Sequence, residues 1–234
     1  IYFIYAAQVP ITIKYVDNDT DTEIRNDTVL TLSDFEGQTR TIRSFESFKE
    51  KIADRGYITV NDTRYIYNKN AKFSNFAAGN FAKSSKTLTE VGDSSITLPE
   101  TGTGKSPTIT LYYTPTTDLI VEYRTITGDG FNRQIAGSVT FEDAIGLNRA
   151  TRLGSKTEWV NAYKETVTSG GTTYTFDPKY GIEIDYTGDI TKDATVYSIA
   201  ALKSETVTPT KAITVRIYYK SPGLKALSVQ RKGT

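Results

Sequence analysis

The sequence predicts an α+β, predominantly β architecture of two tandem modules in an elongated arrangement. Three observations point to it. Apolar and polar residues alternate over many short stretches, one set of residues recurs about halfway along the chain, and each half carries one segment of helical period among its strands.

In the first module Ile11–Asp17 alternates in and out, as a half-buried strand must. The polar run 18–27 reads as a turn or long hairpin tip, and residues 29–33 as a second strand. A helix is expected next: Ser44 suits its N-cap, Phe45, Phe48 and Ile52 share one face, and Gly56 suits its C-terminal cap. Short β-prone stretches follow at 57–60 and 65–67, and I-T-L-Y-Y at 109–113 reads as the closing strand.

The second module repeats this order. Residues 119–123 form its opening strand. Ser155 with Glu158 suggests a capping box for a helix carrying Val160, Tyr163 and Val167 before Gly170 and Gly171. Stretches 172–176 and 181–186 read as strands, and 213–219 as the closing strand. Trp159, the one tryptophan, flanks the helical face and reads as core. Segments 84–104 and 187–208 are less regular and read as insertions or long connections. Hairpin, helix, then further strands is the order of the β-grasp, or ubiquitin-like, plan.

The repeat fixes the expected boundaries. Tyr15 is matched by Tyr123, while Thr31, Leu32, Ser33 and Asp34 with Gly37 and Arg40 are matched by Thr140, Phe141, Glu142 and Asp143 with Gly146 and Arg149. Residues 11–113 are therefore expected to be the first module, 114–118 a linker and 119–219 the second. Residues 1–10 read as the closing strand of a preceding copy plus a linker, and 220–234 as a linker and the start of a following segment. A start at Ile1 fits a slice of a longer array, in which units contact mainly their neighbours.

Composition bounds the function. With 28 basic and 27 acidic residues the net charge is +1, which argues against a dedicated nucleic-acid partner. The acid-free stretch after Glu205, with Lys211, Arg216, Lys220, Lys225, Arg231 and Lys232, reads as a solvated end. There is no Cys, Met or His, which removes the thiol nucleophile, the imidazole base and the commonest soft metal ligands. No catalytic residue, metal ligand or cofactor is therefore expected. A two-carboxylate glycosidase, the remaining enzymatic reading, requires a cleft with suitably spaced acids. The lack of cysteine points to the cytosol or a bacterial envelope. No apolar run approaches membrane-spanning length, so no direct membrane insertion is expected.

V-P-I-T-I-K-Y-V-D at 9–17, R-G-Y-I-T-V at 55–60 and I-T-L-Y-Y at 109–113 resemble the mucin-binding (MucBP and Mub) repeats of Gram-positive surface proteins. The likeness covers most of the first module. In the second, Arg124 and Thr125 follow Tyr123 where the first has Val16 and Asp17, and no Gly-Tyr pair follows the helix, so its kinship rests on the internal repeat. The resemblance implies a β-grasp-related fold, a cell-wall-attached parent at the bacterial surface, and adhesion to host mucin glycoproteins or their glycans, with immunoglobulin as a second partner. It assigns no ligand-contacting residue. A monomeric fragment is expected, and non-binding stalk or spacer repeats are the alternative.

Four further motifs are weighed on their context. Leu98-Pro99-Glu100-Thr101-Gly102 spells a sortase signal but leads into Lys105, Ser106, Pro107 and a second module, so it reads as a loop. Asp17, Asp19 and Asp21 with Glu23 open like a Ca²⁺ loop, yet Thr22 replaces the turn glycine and Thr28 the bidentate Glu, which favours a solvated hairpin tip. Asn-Asp-Thr at Asn18, Asn26 and Asn61 reads as exposed polar turns. Lys14 has no Asn on the strand 109–113 for an isopeptide link.

An aromatic carbohydrate platform would stack ring faces on sugar C–H surfaces. Tyr15, Phe45, Phe48, Tyr113, Tyr123, Phe141, Tyr163 and Tyr219 occupy pattern positions expected to be buried. Tyr57, Tyr65, Tyr67, Phe73 and Phe76, with Tyr174, Tyr180 and Tyr186, remain as surface candidates.

Overall fold

Alternation of apolar side chains sets the strand faces from the start: β1 (Ile11–Asp17) buries Ile11, Ile13 and Tyr15 and leaves Thr12 and Lys14 half-exposed. The computed structural model describes residues 10–30, 41–42, 56–76, 81–84, 96–97, 106–127, 130 and 132–222. These are predominantly β, and the chain divides into two compact units, Ile1–Thr116 and Thr117–Thr234.

In the first unit β1 pairs antiparallel with β2 (Glu23–Leu30). The strands β3 (Thr41–Ile42) and β7 (Ile96–Thr97) form a small pair of their own, and β4 (Tyr57–Val60), β5 (Thr63–Ser74) and β6 (Phe81–Ser84) hydrogen-bond as an antiparallel set. The early part of β8 (Thr108–Ile126) lies between β1 and β5, parallel to β1 with Ile13 opposite Ile109 and antiparallel to β5 with Phe73 opposite Ile109. Ile13, Ile109, Leu111, Phe73 and Tyr113 close the core there, all 2% exposed or less. Each such apolar side chain contributes about 1.5–3 kcal/mol on leaving water.

The second unit repeats that parallel pairing. Its strands are the later part of β8, β9 (Asn132–Gln134), β10 (Val139–Gly146), β11 (Thr151–Arg152), β12 (Thr166–Ser169), β13 (Thr172–Phe176), β14 (Ile182–Asp185), β15 (Ala194–Val196), β16 (Thr206–Val207) and β17 (Ile213–Lys220). Val215 of β17 lies parallel to Val121 of β8. β14 pairs antiparallel with the other edge of β17, and β15 extends β14. Ile182, Ile184, Ile213, Val215 and Ile217 are fully buried on the inner face, against Trp159, Leu153 and Leu202.

Two local expectations change. The helix expected to carry Val160, Tyr163 and Val167 is a 3-10 turn at Leu153–Ser155 followed by the four-residue α1 (Thr157–Val160), whose N-cap is Lys156 without a side-chain cap. Val167 instead sits on β12, and Gly170 and Gly171, at φ 55° and 76°, turn β12 into β13 as a tight hairpin. β-branched Thr166, Val167 and Thr168 beside a Gly-Gly pair favour a hairpin with two left-handed turn residues over a continued helix. A helix not anticipated in the irregular stretch, α2 (Ile199–Ser204), starts at Ser198, whose side chain accepts the Ala201 N–H at 3.0 Å. Residues 114–118 run inside β8.

The helix expected between Ser44 and Gly56, the strand expected at 31–33 beyond β2, the terminal remnants at 1–9 and beyond 222, and the Leu98 to Gly102 motif lie outside the described residues.

Candidate ligand-binding surface

Inward packing of Ile182, Ile184, Val215 and Ile217 turns Glu183, Asp185, Arg216 and Tyr218 to the other face of the second unit's sheet. Arg216 lies on the middle strand there, opposite Glu122 of β8 and Glu183 of β14. Its guanidinium is 3.4 Å from a carboxylate oxygen of each of Glu122, Glu183 and Asp185. Lys211 reaches Asp185 at 2.6 Å, and Arg124 reaches Glu122 at 2.8 Å. Burial works to raise the Asp185 carboxyl, but the Lys211 hydrogen bond and the Lys211 and Arg216 charges outweigh it and hold the group below the ordinary carboxylate range. For Arg216 burial acts downward and the three carboxylates more than compensate, so its charge is reinforced. Lys211 and Arg216 thus belong to a cross-strand ion network, whereas the sequence pattern places them in a solvated basic end.

Beside this network lies a groove of about 320 Å³, with Tyr180, Ile190 and Ile126 as apolar walls and Glu183, Asp193 and Thr195 as polar ones. Tyr218 forms part of its floor; its hydroxyl donates to Glu183 Oε2 at 3.0 Å and accepts from Asn132 Nδ2 at 3.1 Å. Burial and the neighbouring Glu183 push that hydroxyl up from its usual pKa. The Tyr180 ring tilts against Tyr218 at 6.2 Å, and the Lys179 ammonium stands 4.9 Å from the Tyr180 centroid. At the rim, Ile190 is 84% exposed. The connection that carries it is tied down: Asp193 Oδ1 accepts the Tyr186 and Thr187 N–H groups at 3.1 and 3.2 Å, and Asp189 Oδ1 accepts the Thr191 N–H at 3.1 Å.

A wider cleft of about 690 Å³ flanks β10, between Phe141, Glu142 and Asp143 on one side and Ser155, Lys156 and Glu158 on the other. Trp159 lines it but is only 1% exposed, so the indole serves the core.

No protein-family profile matches the chain, and no curated protein matches it. One solved structure with which it aligns is the Type 2 repeat of the mucus binding protein MUB from Lactobacillus reuteri. That alignment has 14% identity, covers 92% of this chain and 100% of that one, and has a TM-score of 0.19. It is a weak neighbour, and a superposition this loose carries no argument about fold or function. Among the described residues no helix is long and apolar enough to cross a membrane.

The aromatic candidates separate on burial. Phe73, Phe76 and Tyr174 are at most 9% exposed, and Tyr65 and Tyr67 pack against the first core. Tyr186 is half-buried and its hydroxyl donates to the Lys192 carbonyl. Tyr57 is open but lies under the Arg64 guanidinium, 3.8 Å from the ring centroid. Tyr180 lines the groove beside the ion network, and Tyr186 lines a separate pocket of about 550 Å³ with Asp189, Lys192 and three threonines from 206–210. Tyr197, at 61% exposure, is an open aromatic that sequence reasoning did not single out. Tyr218 and Glu183 were also missed, although alternation around Ile182 and Ile217 was the signal that turns them outward.

The acidic loop takes a local role. Asp17 is 8% exposed, and its Oδ1 accepts the Asp19 and Thr20 N–H groups at 2.9 and 3.2 Å, closing the turn between β1 and β2. Among the described residues no three acidic side chains gather in an arrangement suited to a metal ion. Lys14 lies 3.5 Å from Asp27, and Asn26, expected in a turn, lies within β2.

Proposed function

We propose that the chain is a repeat segment of a bacterial cell-surface adhesin that binds host mucus glycoproteins through their glycans, without catalytic activity. The observation that carries this reading is the recurrence, in both units, of an opening strand hydrogen-bonded in parallel to the closing strand, Ile13 beside Ile109 and Val121 beside Val215. That pairing is what a β-grasp-related repeat requires, and the motifs at 9–17, 55–60 and 109–113 are those resembling mucin-binding repeats. On this reading the parent is a cell-wall-attached surface protein. Surface plasmon resonance of the multimerised chain over immobilised mucin tests the reading. Saturable binding supports it; a flat response to mucin and to a glycan array leaves a spacer role in its place.

A further inference from the structure

We propose that the groove on the outer face of the second unit's sheet is a saccharide subsite that selects neutral or amino sugars over acidic ones. This rests on the reading of the chain as a glycan-binding repeat and adds the place and the ligand class.

The walls supply the two things a sugar ring needs. Tyr180, 36% exposed, and Ile190, 84% exposed, offer apolar surface to a C–H face. Glu183, whose side chain is 40% exposed, and Asp193 offer carboxylate acceptors, and Thr195 an exposed hydroxyl that both donates and accepts. A hydroxyl-rich ligand meets both kinds of wall at once. The geometry is set before any ligand arrives. Tyr218 and Arg216 hold Glu183 at 3.0 and 3.4 Å, and the hydrogen bonds of Asp189 and Asp193 fix the connection that presents Ile190. A surface already ordered spends less entropy on binding.

Charge decides the class. Two carboxylates and no basic residue line the groove. The cations nearby do not line it: Arg216 is shared among three carboxylates, Arg124 is paired with Glu122, and Lys179 stands against the Tyr180 ring. A sialic acid carboxylate or a sulfate ester entering there meets like charge, whereas a neutral hexose does not and an amino sugar gains attraction.

The test uses the multimerised full chain on native and on sialidase-treated mucin, with Tyr180→Ala and Ile190→Ser variants. Ile190 is open, so Ile190→Ser should keep the parent melting temperature, and Tyr180→Ala, which also loses the contact with Tyr218, should lower it only slightly. Binding to desialylated mucin at least equal to native, and a loss of about tenfold in each variant, supports the subsite. Undiminished variants, or binding abolished by sialidase, overturn the subsite and leave the adhesin reading standing. If the parent chain binds no mucin, the adhesin reading falls and the groove is decided separately by NMR titration with galactose, glucosamine and N-acetylneuraminic acid. Saturable shifts of the Tyr180, Ile190 and Thr195 amides with the first two alone uphold it; no shift, or an equal response to the acidic sugar, sinks it.

Discussion

Arg216 stands between Glu122 of β8 and Glu183 and Asp185 of β14, so replacing it with Met removes the cation these carboxylates share, leaving Lys211 on Asp185 and Arg124 on Glu122. A loss on the order of 1 kcal/mol is expected, read from urea unfolding at neutral pH and shrinking with added salt. The pH dependence has a definite sign. The Asp185 carboxyl is depressed in the folded chain, so its contribution is present above the unfolded value of about 4 and is lost as pH falls through the lower folded value. Asp185→Asn should therefore flatten the acid limb of the stability profile below pH ~4. A variant as acid-sensitive as the parent would argue against the network. At this scale the sequence identified the basic residues but not their partners, because Lys211 and Asp185 meet only when β17 lies beside β14.

Short elements here depend on caps and turns more than on length. α2 has six residues, too few to persist without tertiary support, and Ser198 caps it through the Ala201 N–H. Ser198→Ala should cost about 1 kcal/mol, visible as a lower thermal midpoint, while Ser198→Asp should retain most of the stability. Equal midpoints for all three chains would show that packing of Ile199 and Leu202 alone holds the helix. Strands were the legible elements: β1 and β13 fall where alternation and β-branched residues placed them. The helix expected before Gly170 was not, since Val160, Tyr163 and Val167 satisfy a helical period and equally satisfy a short turn leading into β12. Periodicity over three residues does not separate those cases.

The two units carry their own hydrophobic clusters, one around Ile13, Phe73 and Ile109 and one around Trp159, Val215 and Ile217. A chain of repeated units gains affinity by presenting weak sites together. Mucin binding by the monomeric chain is thus expected to be weak, and linking copies should strengthen it by about 10²–10⁴-fold. Titration of monomer and multimer over the same mucin surface measures the ratio; equal apparent affinities would place the binding energy in one strong site instead.

The sequence by itself determined the β-rich composition, the strand positions with clear alternation, the internal recurrence and the residue types available for chemistry. Those are local properties, fixed by side-chain pattern over a few residues. The tertiary structure decided which strands lie together, and with them the parallel pairing of opening and closing strands in each unit, the cation among three carboxylates, and the groove that joins Tyr180 to Ile190 and Glu183. These depend on contacts between residues far apart in the chain, where no local pattern names the partner. The aromatic surface expected from the abundant Tyr and Phe narrowed for the same reason. Burial is a property of the packed sheet, and Phe73, Phe76 and Tyr174 were taken into its cores while Tyr180 was left at the rim.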